Sequence, residues 1–137
     1  MGSGCEMADV AINTPTLDET EFSDTDPADG GSGYNYDLEE VELLNTILTN
    51  AGEGADRTYQ APARNEGWSF IFIIEAAYQV DLCPDGTEQW YLNGTQAAAG
   101  ECLRNDDDTV GESIFCFSTE TAVYCESKYA NWTEATQ

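Results

Sequence analysis

The chain contains no histidine, and only four of its 137 residues are lysine or arginine. The first absence removes histidine-dependent triads and dyads together with His-ligated metal centres. The second makes nucleic acid a poor partner, because phosphate binding needs a clustered basic surface. Here Arg57, Arg64, Arg104 and Lys128 are scattered singly. Anionic membrane surfaces are unsuited for the same reason. No apolar run approaches the roughly 20 residues that cross a bilayer. Met1-Gly2-Ser3-Gly4-Cys5 has neither a basic n-region nor an apolar h-region, so an exported form is expected to have lost its signal. Phosphate-cradling glycine motifs and nucleophile elbows are also missing, as is a Ser-x-x-Lys before the lone lysine.

What is present is acid. The chain carries 27 Asp and Glu, for a formal net charge of -23. Self-repulsion at that charge favours solubility and opposes compactness, and salt screens it. Saline surroundings or a secreted protein that merely tolerates acid would each account for it. The length is that of one domain, and aromatics at 11% indicate a folded core.

The five cysteines, Cys5, Cys83, Cys102, Cys116 and Cys125, include no C-x-x-C pair, which makes disulfides the better reading than zinc. The stretch Ile114–Cys125 reads as a hairpin. With its turn centred on Glu120-Thr121, Cys116 lies opposite Cys125 at a non-hydrogen-bonded pair, where strands come closest. Elimination leaves Cys83 for Cys102, around the Trp90 segment, although other connectivities satisfy the same count. Cys5 is then a free thiol, an intermolecular bridge or the lipidated first residue of a mature lipoprotein.

Residues 1–36 are rich in Thr, Asp, Ser, Gly and Pro and read as an acidic, flexible or strand-donating extension, in which Val10, Ile12, Leu17 and Phe22 suggest a short strand. Residues 37–137 read as one α+β domain. In it, Asp37 to about Thr49 is expected to be an amphipathic helix, with Leu38, Val41, Leu44, Ile47 and Leu48 on one face and Asp37/Glu40 as its capping box. Trp68 to Cys83 alternates strictly and predicts a long strand, apolar on both faces near Ile71 and Ile73, with a bend near Ala76-Ala77. Cys83-Pro84-Asp85-Gly86-Thr87 is a turn. In the expected hairpin, Val80 faces Trp90 and Tyr78 faces Leu92. Lys128 to Gln137 reads as a tail, and no internal repeat is visible. The expected architecture is one helix packed on a disulfide-stapled antiparallel sheet of about four strands.

Chemistry is sparse. Glu75 interrupts an apolar strand, and a solvent-facing position is the favoured reading over a catalytic one. Asp24, Asp26 and Asp29 have the oxygen spacing of acidic calcium loops without fitting an EF-hand, and Asp106, Asp107 and Asp108 form a second acidic run. Calcium is the one cofactor to consider. Asn93-Gly94-Thr95 and Asn131-Trp132-Thr133 match the N-glycosylation acceptor. A helix followed by a disulfide-bonded antiparallel sheet is loosely similar in architecture to pilin globular domains, without the long apolar N-terminal helix that builds pilus cores.

The expectation is a non-enzymatic structural or adhesive module, extracellular or at a cell surface, that partners proteins by self-association or docking. The alternatives are a calcium- or carbohydrate-binding secreted module, with Trp68, Trp90 and Trp132 as stacking surfaces, and a small secreted effector.

Overall fold

A computed structural model describes residues 22–23, 34–105 and 108–136. The chain is nearly all β. Strands β1 (Phe22–Ser23), β2 (Tyr34–Asp37), β4 (Arg57–Gln60), β6 (Val80–Cys83), β9 (Cys102–Asn105) and β12 (Trp132–Ala135) form one mixed sheet, the back sheet, in the order β1-β2-β4-β6-β9-β12. Strands β3 (Leu44–Thr49), β5 (Ser69–Ile73), β7 (Tyr91–Leu92), β8 (Thr95–Gln96), β10 (Ser113–Ser118) and β11 (Val123–Tyr129) form the front sheet, in the order β3-β5-β10-β11-β7-β8.

From Tyr34 to Cys83 the strands alternate between the sheets, so each becomes the crossover that lets its two neighbours in sequence lie parallel. Tyr34, Arg57 and Val80 stand level across the back sheet, 23 residues apart at each step. Ile47 and Ile71 stand level in the front sheet, 24 residues apart. The path therefore recurs where the sequence shows no repeat. Only the inward positions keep their type: Tyr36, Tyr59 and Leu82 at the back, Leu48 and Phe72 at the front, all buried.

These inward side chains make one core shared by both sheets. Tyr36 stacks on Tyr59 at 5.0 Å with planes 2° apart, and Tyr59 meets Phe72 of the other sheet edge-on at 4.8 Å. Burial, and then the neighbouring Glu53 carboxylate, pushes the Tyr59 phenol far above the ordinary tyrosine range. Two buried asparagines hold the corner between β5 and β6. Asn50 Oδ1 accepts the N–H groups of Glu75 (2.7 Å) and Ala76 (2.9 Å), and its Nδ2 donates to the Ala76 carbonyl at 2.9 Å. Asn105 Oδ1 accepts the Val80 N–H at 2.7 Å, and its Nδ2 reaches the Tyr78 carbonyl at 3.3 Å. Backbone that leaves a ladder inside a protein must find such partners.

The expected α+β fold with an amphipathic helix is incorrect. Residues 40–43 form a single 3-10 turn, and Leu44–Thr49 is a strand. Three of the five residues on the supposed helix stripe face outward, with Val41 60%, Leu44 40% and Ile47 36% exposed, while Leu38, Leu43 and Leu48 are buried. Asn45, at φ 55°, sits in an irregularity of the β3–β5 register between Leu44 and Thr46 that resets the alternation, and this break made a strand look helical. The expected capping box moves along by two residues, with the Glu42 carboxylate accepting the Glu39 N–H at 2.8 Å.

The long strand is two strands in different sheets, joined by a bend at Ala76-Ala77 as the sequence suggests. The Val80/Trp90 and Tyr78/Leu92 pairing does not form. Val80 lies beside Arg57, Leu82 lies between Tyr59 and Leu103, and Leu92 lies beside Cys125 of the front sheet. The expected C-terminal tail contains β12, with Trp132 buried. Without the helix, the likeness to pilin globular domains falls away.

Both expected disulfides are present. Cys116 and Cys125 are direct partners in the β10–β11 hairpin, with Cα atoms 4.1 Å apart, and Cys83 and Cys102 join β6 to β9 at 4.2 Å. A turn forms within the expected stretch but one residue further on, closed by the Glu88 N–H on the Asp85 carbonyl at 3.0 Å, with Gly86 at φ 54° and Pro84 just before it. Asn93 and Gly94, both at positive φ, close the β7–β8 hairpin. Among the described residues, no helix is long and apolar enough to cross a membrane.

Asn50→Ala strips three partly buried backbone groups of their partners and is expected to cost about 2–3 kcal/mol, read from the midpoint of urea unfolding at unchanged slope.

Candidate interaction face

The inner face of the front sheet is spent on the core, through Thr46, Phe70, Cys116 and Cys125 in one row. On the outer face, the described side chains are half-buried or exposed. Its first row runs Leu44, Ser69, Phe117, Tyr124, Tyr91, Gln96 across the six strands. A second row holds Ile47, Ile71, Phe115 and Glu126, and a third holds Thr49, Ile73, Ser113 and Tyr129. The helix expected to cover Ile71 and Ile73 does not exist, so these two isoleucines are half-buried beside the exposed Ile47.

Aromatic rings bind this face together. Phe115 lies 5.7 Å from Phe117, Phe117 stacks on Tyr124 at 5.6 Å, and Tyr124 stacks on Tyr91 at 5.0 Å with planes 25° apart. Rings this close and this nearly parallel cannot lie flat side by side on the sheet. They form a ladder of neighbouring rings, stacked at Phe117–Tyr124 and Tyr124–Tyr91 and tilted at Phe115–Phe117. Lys128 Nζ sits 5.7 Å from the centre of the Phe115 ring.

The electrostatics of this face differ from those of the chain as a whole. The six strands of the front sheet carry one carboxylate, Glu126, and one cation, Lys128, whose charged groups lie 3.5 Å apart. A molecule of net charge -23 thus has an outer sheet face that is close to neutral. The back sheet is more polar. There the Asp81 carboxylate takes two hydrogen bonds from Arg104, at 2.7 and 2.9 Å, and the guanidinium is held still more firmly protonated by that contact. Arg57 pairs with Glu53 at 2.5 Å. Two of the four cations therefore sit beside carboxylates away from the open face. Lys128 lies on that face, and Arg64 lies near the Tyr91 end of the ladder, where its Nη1 donates to the Thr119 carbonyl at 2.8 Å.

The residues singled out from sequence are dispersed. Trp68, Trp90 and Trp132 are only 1–3% exposed, so they are core residues rather than the stacking surfaces considered for a sugar. Trp68 and Trp90 pack edge-on at 6.4 Å. Glu75 is exposed in the β5–β6 connector, where the solvent-facing reading placed it. Asn93 is exposed but engaged with Ser127, which donates its N–H to Asn93 Oδ1 at 2.9 Å and accepts from Nδ2 at 3.1 Å. Asn131 is exposed in the turn before β12. Cys5, Asp24, Asp26, Asp29, Asp106 and Asp107 lie outside the described residues. Among the described residues, no group of three or more acidic, cysteine or histidine side chains is arranged to hold a metal. Phe22, from the extension expected to donate a strand, pairs with β2 of its own chain.

Sequence reasoning missed the aromatic ladder. Its signal was the second phase of alternation in β10 and β11, Phe115, Phe117 and Tyr124, read only as the flanks of a disulfide hairpin. Phe70 and Phe117 lie on opposite faces of the same sheet, the first buried and the second half-buried. Phe70→Ala is expected to cost about 3–5 kcal/mol of stability, whereas Phe117→Ser costs about 1 kcal/mol or less, both measured by thermal unfolding. Compared with known proteins, the chain matches no family model, no curated protein and no solved structure.

Proposed function

We propose that this chain is a non-enzymatic structural module of an oxidising, extracytoplasmic compartment, and that it associates with a second copy of itself through the outer face of the front sheet. One observation carries the reading: an open, aromatic-rich sheet face with balanced charge on a molecule that is otherwise intensely acidic. Exposed apolar patches of this kind mark interaction surfaces. The charge argues for the occupant. Two copies at -23 repel wherever their acidic connectors meet, and on the strands of the front face they meet only one carboxylate per copy, Glu126, which is paired with Lys128. Sheets stack face to face at about 10 Å, so an isologous contact here interleaves the ladder of one copy with the Ile47, Ile71 and Ile73 rows of the other. The two disulfides support the compartment. The ring geometry supports a protein partner over a sugar on the ladder itself, because sugars stack on exposed ring faces and these faces are occupied by one another.

Light scattering on the size-exclusion peak tests this. The dimer fraction should rise with salt, as screening removes the repulsion at the rim, and Ile71→Glu with Phe117→Glu should return the chain to monomer with unchanged near-UV circular dichroism. A monomer at every salt concentration contradicts the proposal. So does a dimer that survives the double variant, or one that is lost on adding reductant, which would assign it to Cys5.

A further inference from the structure

The chain passes from β11 of the front sheet to β12 of the back sheet through Ala130 and Asn131. We infer that Asn131, in this turn, is the acceptor of an N-linked glycan. The inference rests on the extracytoplasmic reading above and not on self-association.

Two triplets of this chain match the acceptor pattern, Asn93-Gly94-Thr95 and Asn131-Trp132-Thr133. The fold brings both to Ser127 and uses them in opposite ways. Ser127 donates its N–H to Asn93 Oδ1 at 2.9 Å, and its hydroxyl oxygen accepts from Asn93 Nδ2 at 3.1 Å. Asn93 also donates its backbone N–H to the Cys125 carbonyl at 2.8 Å. Both ends of the Asn93 amide are therefore spent on tying the β7–β8 hairpin to β11. A glycan on Asn93 Nδ2 would have to be seated inside that clamp.

The second triplet is built the other way round, with its middle residue as the anchor. Trp132 is only 3% exposed, and its N–H donates to the same Ser127 oxygen at 3.1 Å. Ala130, at φ 61°, turns the chain just ahead of it. On either side of the buried indole, Asn131 and Thr133 are exposed. Among the described residues, neither of these two side chains takes part in a hydrogen bond. The amide that would carry the glycan and the hydroxyl that the pattern requires thus both face solvent, on backbone held in place by the core. Attachment at this turn sets a bulky, soluble group on the surface and breaks no side-chain contact of the fold.

The co-reactant is an oligosaccharide linked to a lipid diphosphate, supplied with its transferase by the export compartment. Asn131 Nδ2 attacks C1 of the first sugar, and the C1–O bond to the diphosphate breaks. The lipid diphosphate leaves with that bond's electron pair, and Nδ2 gives up one proton. The product is a secondary amide, and nothing is oxidised or reduced.

Translating the full chain behind a cleavable secretion signal into endoplasmic reticulum microsomes tests the inference. The luminal product should run as a species with one glycan on a gel and lose it to peptide N-glycosidase, with Asn131 found as Asp by peptide mass spectrometry. Asn131→Gln and Thr133→Ala should each abolish the shift, Thr133→Ser should retain it, and Asn93→Gln should leave it unchanged. A luminal product without a glycan overturns the inference, and so does a glycan that survives Asn131→Gln. The same product run without reductant reports on the compartment separately. A chain that forms both disulfides and carries no glycan sinks the inference alone, whereas a glycosylated chain that stays reduced supports it and counts against the disulfide argument for the compartment.

Discussion

The structure depends on a single apolar layer filled from both sides. Tyr36, Tyr59, Leu82 and Leu103 enter it from the back sheet, and Leu48, Phe70, Phe72 and Ile114 from the front. Because successive strands between Tyr34 and Cys83 alternate sheets, each short strand of four to six residues reaches this layer without any helix to cover it. The Tyr59–Phe72 contact shows how closely the two sheets are joined. The remaining features answer needs that this path creates. A chain that leaves one sheet for another exposes backbone groups at each corner, and Asn50 and Asn105 satisfy them between β5 and β6. Antiparallel neighbours at the end of the coil are then pinned covalently, β6 to β9 and β10 to β11.

Local features were legible in the sequence wherever neighbours in sequence are also neighbours in space. The Cys116–Cys125 hairpin follows from period-two alternation around a turn. The Cys83–Cys102 pairing followed only by elimination. The inward phase of Trp68, Phe70, Phe72 and Ile74, and the change of direction at Ala76-Ala77, could be read directly. The pairing partners could not. A parallel strand's neighbour lies 23 residues away, and nothing in the intervening chain announces it. The helix over 37–49 failed for a related reason. Its leucines and isoleucine fit a period of 3.6 only because Asn45 breaks a period of two, and the decisive fact, that Ile47 belongs beside Ile71 on an open face, is tertiary.

The same limit applies to the candidate sites. Composition made the Trp residues the natural suspects for ligand stacking, yet large rings in a small two-sheet protein are needed between the sheets, and all three are there. Among the rings left outside are Phe115, Phe117, Tyr124 and Tyr91; alternation along β10 and β11 marks the first three, but only the register across β10, β11 and β7 brings all four into one ladder. Charge followed the same division. Acid is abundant in the connectors and nearly absent from the front sheet, a contrast that net charge conceals.

We propose that the near-neutral outer face of the front sheet is where the molecule meets its own kind. Recording amide and methyl NMR spectra over a range of protein concentrations tests it most directly. The account predicts concentration-dependent shifts confined to Ile47, Ile71, Ile73, Phe115, Phe117 and Tyr124, with the Asp81–Arg104 side of the back sheet silent. Spectra that do not change with concentration, or changes spread over the back sheet and the acidic connectors, would contradict it.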